Sequence, residues 1–127
     1  MILLDTNYLI KSLVPGSPEA GQVMGWLKTK EDLCTSGICW YEFLCGPVDD
    51  EGIFVVSSCL DQRILPFTAD QATEASRLFN KTGRKRHLRV DAMIAAAAII
   101  PGAILATDNR SDFMEFVDLG LRLAERM

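Results

Sequence analysis

Short apolar runs, too brief for helices and apolar on consecutive rather than alternate residues, recur along this chain with helical stretches between them. Ile2 to Leu4, Leu33 to Thr35 and Ala103 to Ala106 have this form, and Arg63 to Phe67 is a fourth whose Pro66 suits a strand end or a sheet edge. Neighbouring side chains on a strand point to opposite faces, so a run of this kind is covered on both sides. Strands that alternate with helices then imply an α/β fold. We expect three layers, α/β/α, around a central, mostly parallel sheet of about five strands with right-handed crossovers.

The helical stretches are legible from their punctuation. Asp-Thr-Asn after Leu4 begins a first helix, closed by Pro15 and Gly16. Ser17-Pro18 opens a second, with Ala20, Val23, Met24 and Leu27 on its apolar face through about Thr29. From Ser36 the chain turns helical again and stops at Gly46-Pro47, with Glu42 a little over one turn in. A helix is also expected within Val48 to Gln62. Thr68 and Gln71 have capping-box spacing for a helix burying Ala72, Ala75 and Phe79 and running to about Thr82. Leu88 to Ile100 is apolar nearly all round, so it is expected to be the most buried helix, ended by Pro101-Gly102. Phe116 to Leu123 alternates weakly, as a last strand would.

The 127 residues, 49% hydrophobic and 24% charged, suit one globular domain over 1–127 with a proper core. The chain reaches a charge at Asp5 too soon for a secretory leader, and Ala92 to Ile100 is too short an apolar run to span a bilayer, so a cytoplasmic protein is expected. Cys34, Cys39, Cys45 and Cys59 lack paired C-x-x-C spacing and lie far from the only histidine, His87. Buried reduced thiols are expected, rather than disulfides or a zinc site. A net charge of −4 argues against a surface that coats nucleic acid. Locally, Lys81, Arg84, Lys85, Arg86 and Arg89 form a basic run without acids just before Asp91. Such a run is either a solvated face or a grip on a polyanion, and its closeness to an acidic motif favours the grip.

Four acidic motifs stand where strands or helices deliver them to one edge of the sheet. They are Asp5 after the first strand, Glu42, Asp91, and the group Asp108, Asn109 and Asp112 after the last apolar run. Each has an ordinary structural explanation. Asp5 suits a helix N-cap, Asp91 the positive end of a helix dipole, and the last group a turn and a cap. Glu42 is different, for it lies among Trp40, Tyr41, Phe43 and Leu44 with no Lys or Arg between Lys30 and Arg63. A glutamate buried there would call for a metal. Converging carboxylates repel one another unless a hard divalent cation neutralises them, so metal-assisted phosphoester chemistry is the leading reading. Thr6 and Asn7 add oxygens that would orient Asp5 or a bound water, with Thr107 in the same supporting position at the other strand end.

The segments Ile2-Leu-Leu-Asp-Thr-Asn7, Glu42-Phe-Leu-Cys-Gly46, Arg63-Ile-Leu-Pro-Phe67, Arg89-Val-Asp-Ala-Met-Ile-Ala-Ala96 and Leu105-Ala-Thr-Asp-Asn-Arg-Ser-Asp-Phe113, in this order, resemble the PIN-domain nucleases. More narrowly, they resemble the VapC-like toxins of bacterial toxin-antitoxin pairs. The resemblance implies Asp5, Glu42 and Asp91 as core acidic positions for Mg²⁺ or Mn²⁺, with Asn109 and Asp112 at the fourth position and Asp108 in a variable slot. It implies hydrolysis of RNA phosphodiesters by a metal-activated water that Glu42 or Asp112 orients, leaving 5′-phosphate and 3′-hydroxyl ends. It further implies a homodimer and a small DNA-binding antitoxin partner, with Arg84, Arg86 and Arg89 on the RNA backbone or near the antitoxin. The same acids suit a PIN nuclease of RNA maturation or one that cuts DNA structures. A Mg²⁺-binding receiver-like signalling domain fits less well, because Asp5 has no acidic neighbour and no lysine follows Lys85.

Overall fold

Ile2, Leu3 and Leu4 (β1) are all buried, so both faces of the first strand are covered. In the computed structural model, which describes residues 1–126, β1 is the hub of the sheet. It pairs in parallel with β2 (Leu33–Ser36) on one side and β4 (Ile104–Ala106) on the other. The short β3 (Ile64–Leu65) joins the outer edge of β2, again in parallel, so the order is β3-β2-β1-β4. The edge position of β3 follows from Pro66, which has no N–H to continue a ladder.

The sheet thus has four strands where about five were expected. The tail that was to supply the fifth winds instead into a 3₁₀ helix, Met114–Leu119. Phe116 is buried edge-on to Phe113, with ring centroids 6.2 Å apart, a spacing that a helical turn satisfies and a strand does not. Gly120, at φ 121°, ends that helix, and among the described tail residues Leu123 alone returns to the sheet, as a single parallel bridge to Leu105.

The helices are α1 (Thr6–Lys11), α2 (Pro18–Lys28), α3 (Gly37–Leu44), α4 (Asp50–Cys59), α5 (Ala69–Lys81), α6 (Arg89–Ile99) and α7 (Arg110–Phe113). Several start on a side chain that caps the first turn. The side chains of Ser17, Ser36, Asp49 and Thr68 accept from the N–H of Ala20, Cys39, Gly52 and Gln71. At α5 only half of the capping box forms, because Gln71 is buried with its Oε1 unpartnered. Helix α6 is the most buried, as its all-round apolar sequence implies, and packs against α5, β2 and β4 with Ala92 and Ile94 to Ala98 inside.

Two apolar faces sit differently from their periodicity. In α2, Val23 is buried but Met24 is exposed, while Gln22 is buried because it bonds both to the Tyr8 hydroxyl and to the Glu125 carbonyl. In α5, Ala75 and Leu78 point inward, Ala72 is exposed and Phe79 half-buried. Of the four free thiols, Cys34 and Cys39 are buried, Cys59 is partly so and Cys45 is exposed. No helix among the described residues is long and apolar enough to cross a membrane.

Candidate active site

Asp5 ends β1 and Thr107 follows β4, so the pairing of these strands sets both side chains at the same sheet edge. Asp5 is 6% exposed and both of its carboxylate oxygens accept hydrogen bonds. Oδ1 accepts the Thr6 N–H at 2.8 Å, as an N-cap does, and the Cys39 thiol at 3.5 Å; Oδ2 accepts the Thr107 hydroxyl at 2.7 Å. Capping and site geometry are therefore one arrangement, not alternatives. Thr107 Oγ1 also accepts the Asn109 N–H at 3.0 Å, which fixes the turn after β4.

That turn aims Asn109 at two further acids. Its Nδ2 lies 3.5 Å from Asp91 Oδ2 on α6 and 3.2 Å from Asp112 Oδ2 on α7. On the other side, the Thr6 hydroxyl donates to Glu42 Oε1 at 2.9 Å. One continuous network thus runs from Glu42 through Thr6, Asp5, Thr107 and Asn109 to Asp91 and Asp112. Asn7 is exposed, and no hydrogen bond of its side chain occurs among the described residues.

Glu42 corrects the sequence reading. It is exposed, not buried, because α3 turns Cys39 and Phe43 into the core and leaves Glu42, one position off that stripe, at the mouth of the site. The apolar neighbours that suggested burial are themselves divided, with Tyr41 and Leu44 exposed. Asp108 stands outside the network. Lys11 Nζ holds its Oδ2 at 3.0 Å and Arg126 approaches its Oδ1 at 3.8 Å, so its charge is answered by the first helix and the tail.

No such cation answers the other acids. Among the described residues no Lys or Arg pairs with Asp5, Glu42, Asp91 or Asp112, and the nearest basic group is the exposed His87, 3.9 Å from Asp112. The consequence shows at Asp91. Burial, reinforced by the charges of Asp5, Asp112 and Glu42 and eased by His87, pushes its carboxyl from 3.8 up to about 6. No three His, Cys, Asp or Glu side chains among the described residues close into a tight cage; the acids stand apart along the network, as like charges do. An all-oxygen, uncompensated set of this kind fits a hard divalent cation and not a thiophilic one.

Cys39 is the contact that sequence reasoning missed. It was read only as a buried thiol, yet it lies one turn before Glu42 on α3, so a helix that presents Glu42 to the site also brings Cys39 close beneath it. Burial, with the Asp5 charge next, pushes the thiol up to about 12, so it stays a neutral donor to Asp5. Thr107, 1% exposed, has the larger role. Thr107→Val removes a donor to Asp5 and an acceptor for Asn109, and we expect divalent-cation affinity, measured by titration calorimetry, to fall roughly 10–100-fold. An unchanged affinity would remove Thr107 from the site.

Residues 2–116 match the family model of the PIN domain. The fold is similar to that of FitAcB from Neisseria gonorrhoeae, with TM-score 0.72 and 24% identity over 98% of this chain and 97% of that one. It is also similar to VapBC2 from Rickettsia felis bound to a promoter DNA fragment, with TM-score 0.67 and 23% identity over 98% of each chain. DNA-bound VapBC from Salmonella typhimurium gives TM-score 0.69 and 22% identity over 97% of this chain and 96% of that one. No curated protein matches the sequence. The match over most of the chain, on a fold that gathers the acids at one sheet edge, shows that this chain belongs to the PIN domain family, whose nucleases generally work with divalent metal ions.

Proposed function

We propose that this protein is a metal-dependent endoribonuclease that acts as the toxin of a toxin-antitoxin pair, with Mg²⁺ or Mn²⁺ as its cofactor. The observation that carries the reading is the hydrogen-bonded network that joins Asp5, Glu42, Asp91 and Asp112 with no Lys or Arg among the described residues to neutralise them. A divalent ion bound by these acids would supply Lewis acidity and lower the pKa of an attacking water. Asp5 and Asp91 are the inner ligands in this proposal. Thr6, Thr107 and Cys39 hold the Asp5 carboxylate in one orientation, so no reorganisation is needed when charge develops on the phosphate. Glu42 and Asp112, nearer solvent, orient the water and take its proton. Asn109 holds Asp91 and Asp112 through its amide nitrogen; a half-turn of the carboxamide presents Oδ1 instead and makes it a ligand. Asp108, tied to Lys11 and Arg126, is left out of the ligand set.

Local charge supports a polyanionic nucleic-acid substrate. Lys85 is paired with Glu115 at 2.7 Å, but Arg84, Arg86 and Arg89 pair with no acid among the described residues; Arg84 and Arg86 precede the Asp91 helix and Arg89 opens it. For single-stranded RNA, each phosphate contact contributes about 0.7 to the slope of log affinity against log salt. Arg84→Ala with Arg86→Ala is therefore expected to weaken RNA binding and reduce that slope by about 1.4; an unchanged slope would return these arginines to a solvated surface. The antitoxin and the homodimer are proposed from the likeness to toxin-antitoxin complexes, two of them described as bound to DNA. A cytoplasmic site of action goes with that reading.

Cleavage of RNA but not of DNA of the same sequence, present with Mg²⁺ or Mn²⁺ and abolished by EDTA, is the expected result. Preferential cutting of DNA flaps would favour a structure-specific DNA nuclease, and a gene for a small DNA-binding protein beside this one favours the toxin over a role in RNA maturation.

A further inference from the structure

Two guanidinium groups attend one aromatic ring at the edge of the α5 and α6 layer. Arg84 Cζ lies 5.6 Å and Arg89 Cζ 5.5 Å from the centroid of Phe79. Beside that ring a cleft of about 260 Å³ opens between the helices, walled by Phe67, Ala72, Ala75, Phe79 and Met93 with Arg89 at its rim. Arg84 is held in place against a conformational cost. It follows Gly83 in the left-handed region, at φ 57° after φ 86°, which is disfavoured for a residue with a side chain. Its backbone N–H donates to the Phe79 carbonyl at 3.0 Å and its Nη1 to Asn80 Oδ1 at 2.6 Å. Neither Arg84 nor Arg89 pairs with a carboxylate among the described residues, so Arg89 at the rim and Arg84 over the same ring stay positively charged in a protein of net charge −4.

We propose that this cleft is a binding subsite for one unstacked nucleobase of the RNA substrate; the inference rests on the endoribonuclease reading above. Pockets for drug-sized ligands run to roughly 300–1,000 Å³, so a cleft just below that range suits a single flat ring system. Bases splayed from single-stranded RNA stack on aromatic rings and on guanidinium planes, and their phosphates need cations nearby. A nucleotide answers both the apolar walls and the charged rim, whereas an apolar peptide side chain leaves the arginines unanswered. The placement relative to the carboxylates also fits. Arg89 and Met93 are four residues apart on one face of α6, and Asp91 lies between them on the opposite face of a helix roughly 10 Å across. A strand that crosses the start of α6 from cleft to carboxylates follows a path somewhat longer than that width, which an unstacked single strand covers in roughly two or three nucleotides.

The test uses the full chain and short single-stranded oligoribonucleotides in which one base at a time is removed. Wild type is expected to lose about tenfold or more in kcat/KM when the missing base is the one two or three nucleotides from the cut, and little at other positions. Ala72 is exposed at the cleft mouth, so A72W fills the cleft from outside the core. It is expected to cleave intact RNA about tenfold more slowly and to ignore the missing base. Should A72W fail to fold by circular dichroism, S76W, one turn on along the same exposed wall, makes the same comparison. A folded filling variant with wild-type rate and wild-type sensitivity to the missing base overturns the subsite and leaves the nuclease reading standing. The same variant cleaving normally but altered in solution mass overturns it too and assigns the cleft to a second copy of the chain. Wild type that cleaves no RNA with any divalent ion overturns both.

Discussion

Asp91→Asn protein is expected to lose divalent-dependent RNA cleavage by roughly three orders of magnitude, the scale seen when one preorganised electrostatic group is removed from an active site. The same change should stabilise the metal-free fold. Burial first, and then the charges of Asp5, Asp112 and Glu42, raise the Asp91 carboxyl from 3.8 to about 6 in the folded protein. Between those values the folded chain holds a proton that the unfolded chain has released, so stability falls as pH rises from about 4 to about 6. Above that window the whole cost of the charged carboxylate remains. Allowing for the solvent that reaches Asp91, we put it on the order of 1–2 kcal/mol. An amide of the same shape carries no such charge. In EDTA, Asp91→Asn should therefore melt above wild type at pH 7 and match it near pH 4. A variant that melts lower at pH 7, or that keeps full activity, would sink the view of Asp91 as an uncompensated ligand.

Divalent cations are expected to raise the melting temperature of wild type by roughly 10 °C at a hundred times their dissociation constant. A ligand that binds only the folded state adds about 2.7 kcal/mol at that concentration, and each kcal/mol moves the midpoint of a domain this size by about 4 °C. The relief of the repulsion that raises Asp91 acts on the dissociation constant, so variants are compared at one ion concentration. Asp5→Asn separates these effects. Asparagine caps a helix as well as aspartate does, so α1 is kept, but the charge that faces Asp91 is gone. The shift should shrink to a few degrees or less in that variant, and Ca²⁺, which also takes oxygen ligands, should shift wild type while supporting little cleavage. An equal shift in wild type and Asp5→Asn would place the ion elsewhere on the protein. This readout needs no RNA, so it separates failure of the metal site from failure of the substrate assignment.

Much of the architecture is legible locally. Consecutive apolar residues at Ile2 to Leu4 demand cover on both faces, Ser17-Pro18 starts a helix for stereochemical reasons, and the all-round apolar α6 has nowhere to go but the interior. Reading failed where a side chain's surroundings come from remote segments. Gln22 is buried because Tyr8 and the Glu125 carbonyl satisfy its amide, and no periodicity within α2 announces those partners. The tail looked like a strand by alternation, but the packing of Phe116 on Phe113 favoured a 3₁₀ turn.

The candidate site divides in the same way. By itself the sequence determined that Asp5, Asp91 and the group after Ala106 stand at the ends of regular elements, since apolar runs and helix starts are properties of neighbouring residues. Only the tertiary structure decided which of Asp108, Asn109 and Asp112 joins the acids. Lys11, 97 residues away in sequence, draws Asp108 out, while the Thr107 hydroxyl bonded to Asp5 turns Asn109 in. It also placed Glu42 at the mouth and not in the core, and Cys39 beneath Asp5. The reason is range: periodicity and capping act over a few residues, whereas the direction of a turn and the charge that faces a carboxylate are set by whichever strand the sheet brings alongside.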